Sequence, residues 1–118
     1  MIDCMTDLFA AVSTRRPAEV EERGGERFLS LSAALELLDD AERNGVQVFG
    51  LEGFLITDTA TYPALGRIAD YSRASPSEAL SSARQLLTHE WSLPPRASED
   101  QMHPDAAGRH MIAVVLAR

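Results

Sequence analysis

Hydrophobic residues recur along this chain at two different spacings, and each spacing predicts its own kind of secondary structure. Spacings of three and four residues predict amphipathic helices over about 3–14, about 32–44, and from 76 to His89 or Glu90. Alternation over two residues predicts strands at 46–57 and 110–117. Because both strands are apolar on both faces, we expect them to lie inside a sheet and to pair with each other.

Capping residues mark the ends of the second and third predicted helices. Ser30 or Ser32 can accept a hydrogen bond at the start of the second helix, and Asn44-Gly45 supplies the left-handed residue that ends it. The third helix opens on Ser75-Pro76-Ser77-Glu78, which combines a serine cap, a proline in the first turn and a glutamate three residues on. These signals support both helices independently of the hydrophobic spacing.

The segment Val46–Thr57, VQVFGLEGFLIT, is unusual for a strand because it contains two glycines and a carboxylate. Glycine weakens a strand, so Gly50 and Gly53 indicate a bulge, a bend or a close approach of another backbone. Glu52 lies between them among apolar neighbours, and we expect its carboxylate to be partly buried. The first interpretation is a structural carboxylate, paired with an arginine or bonded to amides at the bulge. Partner binding and catalysis are the alternatives.

The remaining segments give weaker patterns. AEVEERGGER at 18–27 predicts either a short solvated helix or a mobile connection, and Arg27–Leu31 predicts either an edge strand or the lead-in to the second helix. The threonine-rich stretch 58–64 predicts a turn or loop, and 65–72 predicts a short strand or an irregular crossing. The polar stretch 92–108 predicts a loop that is long for a compact domain.

Together these elements predict one α+β domain of 118 residues, with about three helices packed mainly on one face of a sheet. We expect residues 1–27 to form an N-terminal helix and a charged connection, and residues 28–118 to form the core. Helices on both faces are the alternative, because the two strands look covered on each side. The chain has no apolar run long enough to span a membrane and no basic start of a secretory signal, so we expect a soluble, cytoplasmic protein.

Charge is distributed unevenly along the chain. The formal net charge is −7, all 11 basic residues are arginine, and residues 19–58 hold ten acids against three arginines. Such a segment should repel nucleic acid and attract a basic partner. A solvated acidic face that aids solubility is the simpler interpretation.

Four of these acids lie on the second predicted helix, and three of the four fall in its last two turns, where the helix dipole disfavours negative charge. A cost without a local benefit indicates a use elsewhere, which points to a partner. The predicted partner-binding residues are therefore Glu36, Asp39, Asp40, Glu42, Glu52, Asp58 and Asp70.

No motif for catalysis, metal binding or cofactor binding stands out. His103, Asp105 and His110 are residue types that zinc accepts, but this spacing is common and no fourth ligand is placed. The chain contains neither a nucleophile turn nor a glycine loop that could hold a phosphate. We therefore expect no catalytic residues, no metal and no cofactor.

The segment GVQVFGLEGFLI at Gly45–Ile56, followed by IADYS at Ile68–Ser72 and by the terminal HMIAVVLA, resembles small immunity proteins of bacterial polymorphic-toxin systems. The resemblance covers about residues 28–118, while the first 27 residues and the loop at 92–108 depart from it. It implies a stand-alone α+β domain that binds and blocks a toxin and has no chemistry of its own. The matching positions expected to be characteristic are Gly50, Glu52, Gly53, Phe54 and Asp70.

The resemblance and the charge distribution lead to one hypothesis and leave two alternatives. The hypothesis is a non-enzymatic interaction domain that binds a basic toxin domain through the acidic helix and the region of Glu52, with neither nucleic acid nor membrane as partner. The first alternative is a small-molecule binding domain or weak enzyme with a pocket near Glu52, Asp58 and Asp70. The second alternative is a homo-oligomer, a dimer formed through an exposed strand edge.

Overall fold

The computed structural model of the chain describes residues 4–92 and 108–117, which form one α+β domain. Its helices are α1 (Cys4–Arg15), α2 (Leu31–Arg43) and α3 (Pro76–Gln85). A short 3-10 turn spans Pro17–Glu19, and α3 continues into a π-helical turn over Leu86–Glu90. The strands are β1 (Val20–Arg23), β2 (Glu26–Leu29), β3 (Val48–Ile56), β4 (Thr61–Asp70) and β5 (Arg109–Leu116). The three predicted helices and both predicted central strands are confirmed.

The strands form one antiparallel sheet in the order β1-β2-β5-β3-β4. As the two apolar patterns predicted, β3 pairs with β5, and its other neighbour is β4. The main core lies between one face of this sheet and the helices, so the prediction that the helices pack on one face is confirmed for the described residues. The sheet residues buried in it include Leu29, Val48, Leu51, Ile112 and Leu116.

The N-terminal helix belongs to this core. Leu8, Phe9 and Val12 of α1 are buried, and Val12 has no exposed surface. The guanidinium carbon of Arg27, on β2, lies 5.0 Å from the centre of the Phe9 ring, which is within the range of a cation–π contact. The core therefore includes part of the segment 1–27 that the sequence placed outside it.

The segment 18–27 forms most of a β-hairpin, so the prediction of a solvated helix or a mobile connection was wrong. Gly24 and Gly25 have φ values of 57° and 84°, the two left-handed residues that a type I′ hairpin turn requires. Strand β2 lies between β1 and β5, so it is an interior strand rather than an edge strand. The Gly-Gly pair was the available signal, and the charges on both sides of it hid the alternation.

The predicted helix caps are present. The Ser30 hydroxyl accepts a hydrogen bond from the amide of Ala33 at 3.1 Å, and the Ser75 hydroxyl accepts one from the amide of Glu78 at 3.2 Å. Gly45 has a φ of 67°, so it ends α2 in the left-handed conformation that glycine adopts without a steric penalty.

Strand β4 contains a wide bulge opposite Gly53. Glu52 pairs with Ile68, and Phe54 pairs with Pro63. Gly53, the single residue between Glu52 and Phe54, therefore stands opposite the four residues 64–67 of β4. A Cβ atom added to Gly53 would lie 2.7 Å from the Cβ of Arg67. The predicted bulge and close approach near Glu52 are confirmed. The prediction of a loop over 58–64 was wrong from Thr61 onward, where the strand begins.

The bulge turns the Arg67 side chain into the protein. Arg67 is 3% exposed, its Nη1 donates a hydrogen bond to the carbonyl oxygen of Trp91 at 3.1 Å, and its guanidinium carbon lies 5.9 Å from the Trp91 ring centre. Trp91 packs in the main core. The bulge is thus tied to the end of the helical segment that begins with α3.

The sheet face without helices holds a second, smaller cluster. Phe28, Ile56 and Met111 are buried together, with Phe54 packed beside them. The rings of Phe28 and Phe54 meet edge to face, with their centres 5.1 Å apart. On the hairpin, Arg23 donates a hydrogen bond to the carbonyl of Ala60 at 3.1 Å. This contact joins the first strand to the turn between β3 and β4, so this end of the face is closed over the cluster.

Among residues 4–92 and 108–117, no helix is both long and apolar enough to cross a membrane.

Gly53→Ala should lower the free energy of unfolding by about 1–3 kcal/mol, because the added methyl group would overlap the Arg67 side chain at the bulge. Urea denaturation followed by circular dichroism measures the change. The control is Gly45→Asn, where the added Cβ meets nothing within 4 Å and asparagine tolerates the left-handed backbone. A loss below about 1 kcal/mol for Gly53→Ala would show that the overlap with Arg67 is relieved without a significant cost.

Candidate functional site

The structure divides the seven predicted partner-binding residues into three groups. Those on α2 form ion pairs with arginines, two others lie on the sheet face away from the helices, and one lies in a turn. In that order, the groups are Glu36, Asp39, Asp40 and Glu42; Glu52 and Asp70; and Asp58.

Two acids of α2 bind the end of α1. The Nη2 atom of Arg15 donates to Oδ2 of Asp40 at 2.6 Å, and its Nε donates to Glu36. Arg43 pairs with the other carboxylate oxygen of Asp40. Asp40 is only 5% exposed. Burial of an unpaired carboxylate would cost several kcal/mol. Arg15 and Arg43 offset this cost by pairing with the buried Asp40.

The same network reaches the first turn of α2. Arg16 donates to Glu36 and to Oε2 of Glu19, the latter at 2.7 Å. The capping Ser30 donates its hydroxyl to Oε1 of Glu19 at 2.8 Å. The hydrogen bond from Ser30, followed by the one from Arg16, holds the pKa of Glu19 below its ordinary value. The end of α1, the 3-10 turn and the cap of α2 are therefore linked by one chain of charged hydrogen bonds.

The other two acids of α2 bind α3. The Nη2 atom of Arg84 lies 2.6 Å from Oδ1 of Asp39 and 2.9 Å from Oε1 of Glu42. Its hydrogen bond to Glu42, and then the one to Asp39, raise the pKa of Arg84. All four acids of α2 thus have a local partner, so the premise that their charge has no local use was wrong. Their contact with another protein stays a prediction.

Glu52 and Asp70 lie on the opposite face of the sheet. In the antiparallel register, residues that stand directly opposite each other point to the same side, as do residues two apart on one strand. The residues that alternate with these, such as Leu51 and Ile112, belong to the helix-side core. Six residues from three strands therefore share the helix-free face in two rows, and we call them the open-face array. Its rows are Ile68, Glu52 and Ala113, and Asp70, Gly50 and Val115.

The open-face array combines exposed apolar side chains with carboxylates. Ile68 is 63% exposed and Val115 is 44% exposed. Glu52 is exposed as well, so the expectation of partial burial was wrong, because the helices cover only the other face. Among the described residues no ion pair includes Glu52, and hence no arginine plays the structural role first assigned to it.

Asp70 is held in its ionised form. Its Oδ1 accepts a hydrogen bond from the backbone amide of Ser72 at 2.9 Å. That bond is the main reason why the pKa of Asp70 is lowered, and the nearby charge of Arg73 is a smaller one. The second row of the array thus carries a negative charge at neutral pH, beside the apolar side chain of Val115.

The structure does not bring Asp58 to the array. Asp58 is exposed in the turn that follows β3, whereas Gly50 lies near the start of that strand. His103 and Asp105 lie outside the described residues, as does most of the predicted loop at 92–108. Within residues 4–92 and 108–117, no group of three or more histidine, cysteine or acidic residues could hold a metal ion.

Two depressions on the surface are lined by other residues. One is formed by Arg15, Arg16 and Glu36 with the 3-10 turn, and its arginines are already bonded to carboxylates. The other, of about 290 Å³, lies between the end of α2 and the start of α3 and is lined in part by Val46 and Leu80. Neither depression is lined by a residue of the open-face array.

Sequence reasoning missed the exposed apolar part of the array. Val115 looks like a core residue because it lies in an apolar stretch, and Ile68 is an apolar residue in a segment without a clear period. Only the register across three strands shows that they share a face with Glu52. The ion pairs of α2 were missed for a similar reason, because Arg15 and Arg84 are far from it in sequence.

Asp40→Asn should lower the free energy of unfolding by about 1–3 kcal/mol, because Arg15 and Arg43 would lose their buried charged acceptor. Its neighbour provides the matched control: Asp39→Asn removes an ion pair whose acid side chain is 53% exposed, and it should cost less than about 1 kcal/mol. Urea denaturation of both variants gives the comparison. Equal losses would mean that burial of Asp40 does not decide the outcome.

Acid should weaken the link between α1 and α2. The hydrogen bond from Arg15, and then that from Arg16, lower the pKa of Glu36 from its ordinary 4.5. The resulting stabilisation is complete above pH 4.5 and is lost as the pH falls through the lower folded-state value. When the pH falls from about 6 to about 3, the Glu36→Gln variant should therefore lose less free energy of unfolding than the wild type.

Urea denaturation at the two pH values measures this difference, with Glu90→Gln as the control. Glu90 is exposed and forms no ion pair among the described residues. If Glu36→Gln leaves the acid-induced loss as large as in the wild type, Glu36 does not contribute to it.

Comparisons with protein-family models, with curated proteins and with solved structures found no match to this chain. The interpretation of the site therefore depends on its own residues. The acids of α2 are engaged within the fold, and the open-face array combines exposed apolar surface with carboxylates that have no arginine bound to them among the described residues.

Proposed function

We propose that this chain is a non-enzymatic protein-binding domain, of the immunity type that its sequence resembles, and that it binds a basic toxin domain. The observation that carries the proposal is the open-face array, where Ile68 and Val115 are 63% and 44% exposed beside two carboxylates. Apolar surface rimmed by polar groups is typical of protein interfaces. The proposed contact surface is therefore the open sheet face.

Charge supports a basic partner for this face. The formal net charge of the chain is −7, which attracts a basic domain at long range and speeds its capture. On α2 the arginines offset the local negative charge, whereas Glu52 and Asp70 form no ion pair among the described residues. We therefore assign close contact to the array, and only long-range attraction to the exposed acids of α2.

A second copy of the chain fits the same face less well. Two copies related by a two-fold axis would bring two Glu52 and two Asp70 carboxylates into one interface. Like charges brought together in an interface cost several kcal/mol. Pairing through the edge of β4 is disfavoured too, because Pro63 and the wide bulge interrupt that edge.

The small-molecule alternative has less support than protein binding. It requires Glu52, Asp58 and Asp70 around one pocket, and Asp58 lies in the turn beyond the far end of β3. The two remaining carboxylates lie on a sheet surface with exposed apolar neighbours, an arrangement that suits a protein partner.

Reversing the charge of the array should abolish most of the binding to a toxin domain encoded by the neighbouring gene. Isothermal titration calorimetry should show at least about 30-fold weaker binding for Glu52→Arg combined with Asp70→Arg, since the loss of contacting charges costs about 2 kcal/mol or more. The matched control is Glu78→Arg combined with Glu90→Arg, which changes the net charge equally at exposed positions of the α3 segment. It should weaken binding by less than about fivefold.

Two results would contradict the proposal. Equal weakening by the control would remove the array as the contact surface. Failure of the wild-type chain to bind the neighbouring toxin domain would remove the immunity function itself.

A further inference from the structure

We infer that Phe49 extends the open-face array, and that the partner protein covers Phe49, Ile68 and Val115 with an apolar surface of its own that is flanked by basic side chains. We call these three residues the apolar patch. The inference rests on the proposed function and adds a contact residue and the chemistry of the surface that the partner presents.

A second bulge brings Phe49 to this part of the sheet. Val48 and Leu51 of β3 both belong to the main core, and two residues, Phe49 and Gly50, lie between them. The β5 partners of Val48 and Leu51 are separated by one residue, Val115. Such a bulge sets two residues of one strand opposite one residue of the next. Phe49 and Gly50 therefore stand together opposite Val115, a residue of the helix-free face.

The residues of the apolar patch are exposed although they are large. Phe49 is 37% exposed and belongs to neither cluster of buried residues, and Ile68 and Val115 are more exposed still. No other large apolar residue is exposed among those whose side chains the structure describes. Single exposed apolar residues are common on proteins, but the concentration of all three on one part of one sheet is typical of an interaction surface.

The apolar patch is small enough for one partner to cover. Neighbouring strands lie about 4.8 Å apart and neighbouring rows about 6.8 Å apart. Ile68 stands two strands and one row away from Val115, which places their backbones about 12 Å apart. An interface of ordinary size buries about 800 Å² on each partner, which is enough to cover all three residues.

Phe49 suits the centre of such a contact because its backbone is fixed. Its carbonyl oxygen accepts a hydrogen bond from the amide of Tyr71 at 2.8 Å, and β3 lies between β4 and β5. An aromatic side chain on a rigid strand loses little conformational freedom on binding, and aromatic residues are enriched at interfaces.

The surroundings of the apolar patch define its occupant. Small molecules bind in concave sites, but neither of the two depressions described above is lined by Phe49, Ile68 or Val115, so the patch suits the surface of a protein. Glu52 and Asp70 share the two rows with Ile68 and Val115. A purely apolar surface would displace water from these carboxylates without replacing its hydrogen bonds. The partner's apolar surface must therefore be flanked by arginine or lysine.

Threonine at each position tests the apolar patch, because threonine favours strands and removes apolar surface. Surface plasmon resonance measures the rates at which the toxin domain encoded by the neighbouring gene binds and leaves the full chain. Phe49→Thr should speed dissociation at least about tenfold, and Ile68→Thr and Val115→Thr at least about threefold each. The effect falls mainly on dissociation because mutations within one interface change the association rate little.

Two variants serve as controls. Val46→Thr makes the same change as Val115→Thr on the helix side, where Val46 lines the depression between α2 and α3, and it should alter the dissociation rate less than about twofold. Phe49→Leu keeps an apolar side chain, so it should dissociate no more than about threefold faster than the wild type. Circular dichroism compares the fold of each variant with that of the wild type.

The apolar patch can also be tested without the toxin domain, by chromatography on a phenyl-substituted resin in a falling gradient of ammonium sulfate. Sulfate strengthens the contact between exposed apolar surface and the phenyl groups. Phe49→Thr should therefore elute before the wild type, at a higher salt concentration, and Val46→Thr should elute with the wild type.

Failure of this inference differs from failure of the proposed function. If the toxin domain leaves Phe49→Thr, Ile68→Thr and Val115→Thr no faster than it leaves Val46→Thr, the inference is wrong and the immunity function stands. If no neighbouring toxin domain binds the wild type, the immunity function is wrong and the resin decides alone. Earlier elution of Phe49→Thr then supports the apolar patch as a contact surface, and elution with the wild type overturns it.

Discussion

The arginine between α1 and α2 fixes the arrangement of the helices. Arg15 bonds Glu36 and Asp40, which lie one turn apart on α2, and Asp40 is too deeply buried to be left unpaired. Arg84 ties α3 to the outer side of the same helix. The helices thus form one layer centred on α2. A single layer covers one face of the sheet. On the other face Phe28, Ile56 and Met111 are buried in their own cluster, and the side chains of the open-face array remain exposed at Glu52, Ile68, Asp70 and Val115.

The bulge in β4 decides which residues occupy that uncovered face. Before the bulge Phe54 shares a row with Pro63, and after it Glu52 shares one with Ile68, so the register changes by three residues. A change by an odd number reverses the alternation of β4. The reversal places Arg67 in the interior and Ile68 outside. It also explains why the segment 65–72 has no clear period in the sequence.

Local signals made part of this fold predictable. Serine caps and the glycine after Asn44 act within one turn of a helix, and the glycines of β3 correctly indicated a bulge. The exposure of Glu52 could not be predicted in this way, because it depends on which face the helices cover. The ion pairs that join α2 to Arg15, Arg16 and Arg84 could not be predicted either, since their partners lie 20 or more positions apart in sequence.

Charge counted along the sequence differs from charge available at the surface. The acidic excess of residues 19–58 is offset in the fold by Arg15, Arg16 and Arg84, all from outside that segment. A face that only aids solubility would explain the remaining carboxylates, but it would not explain an isoleucine that is 63% exposed between them. Exposed apolar area opposes solubility and stabilises a complex when it is buried. Ile68 and Val115 therefore distinguish the open-face array from the acidic surface of α2, and they favour binding over solubility as its role.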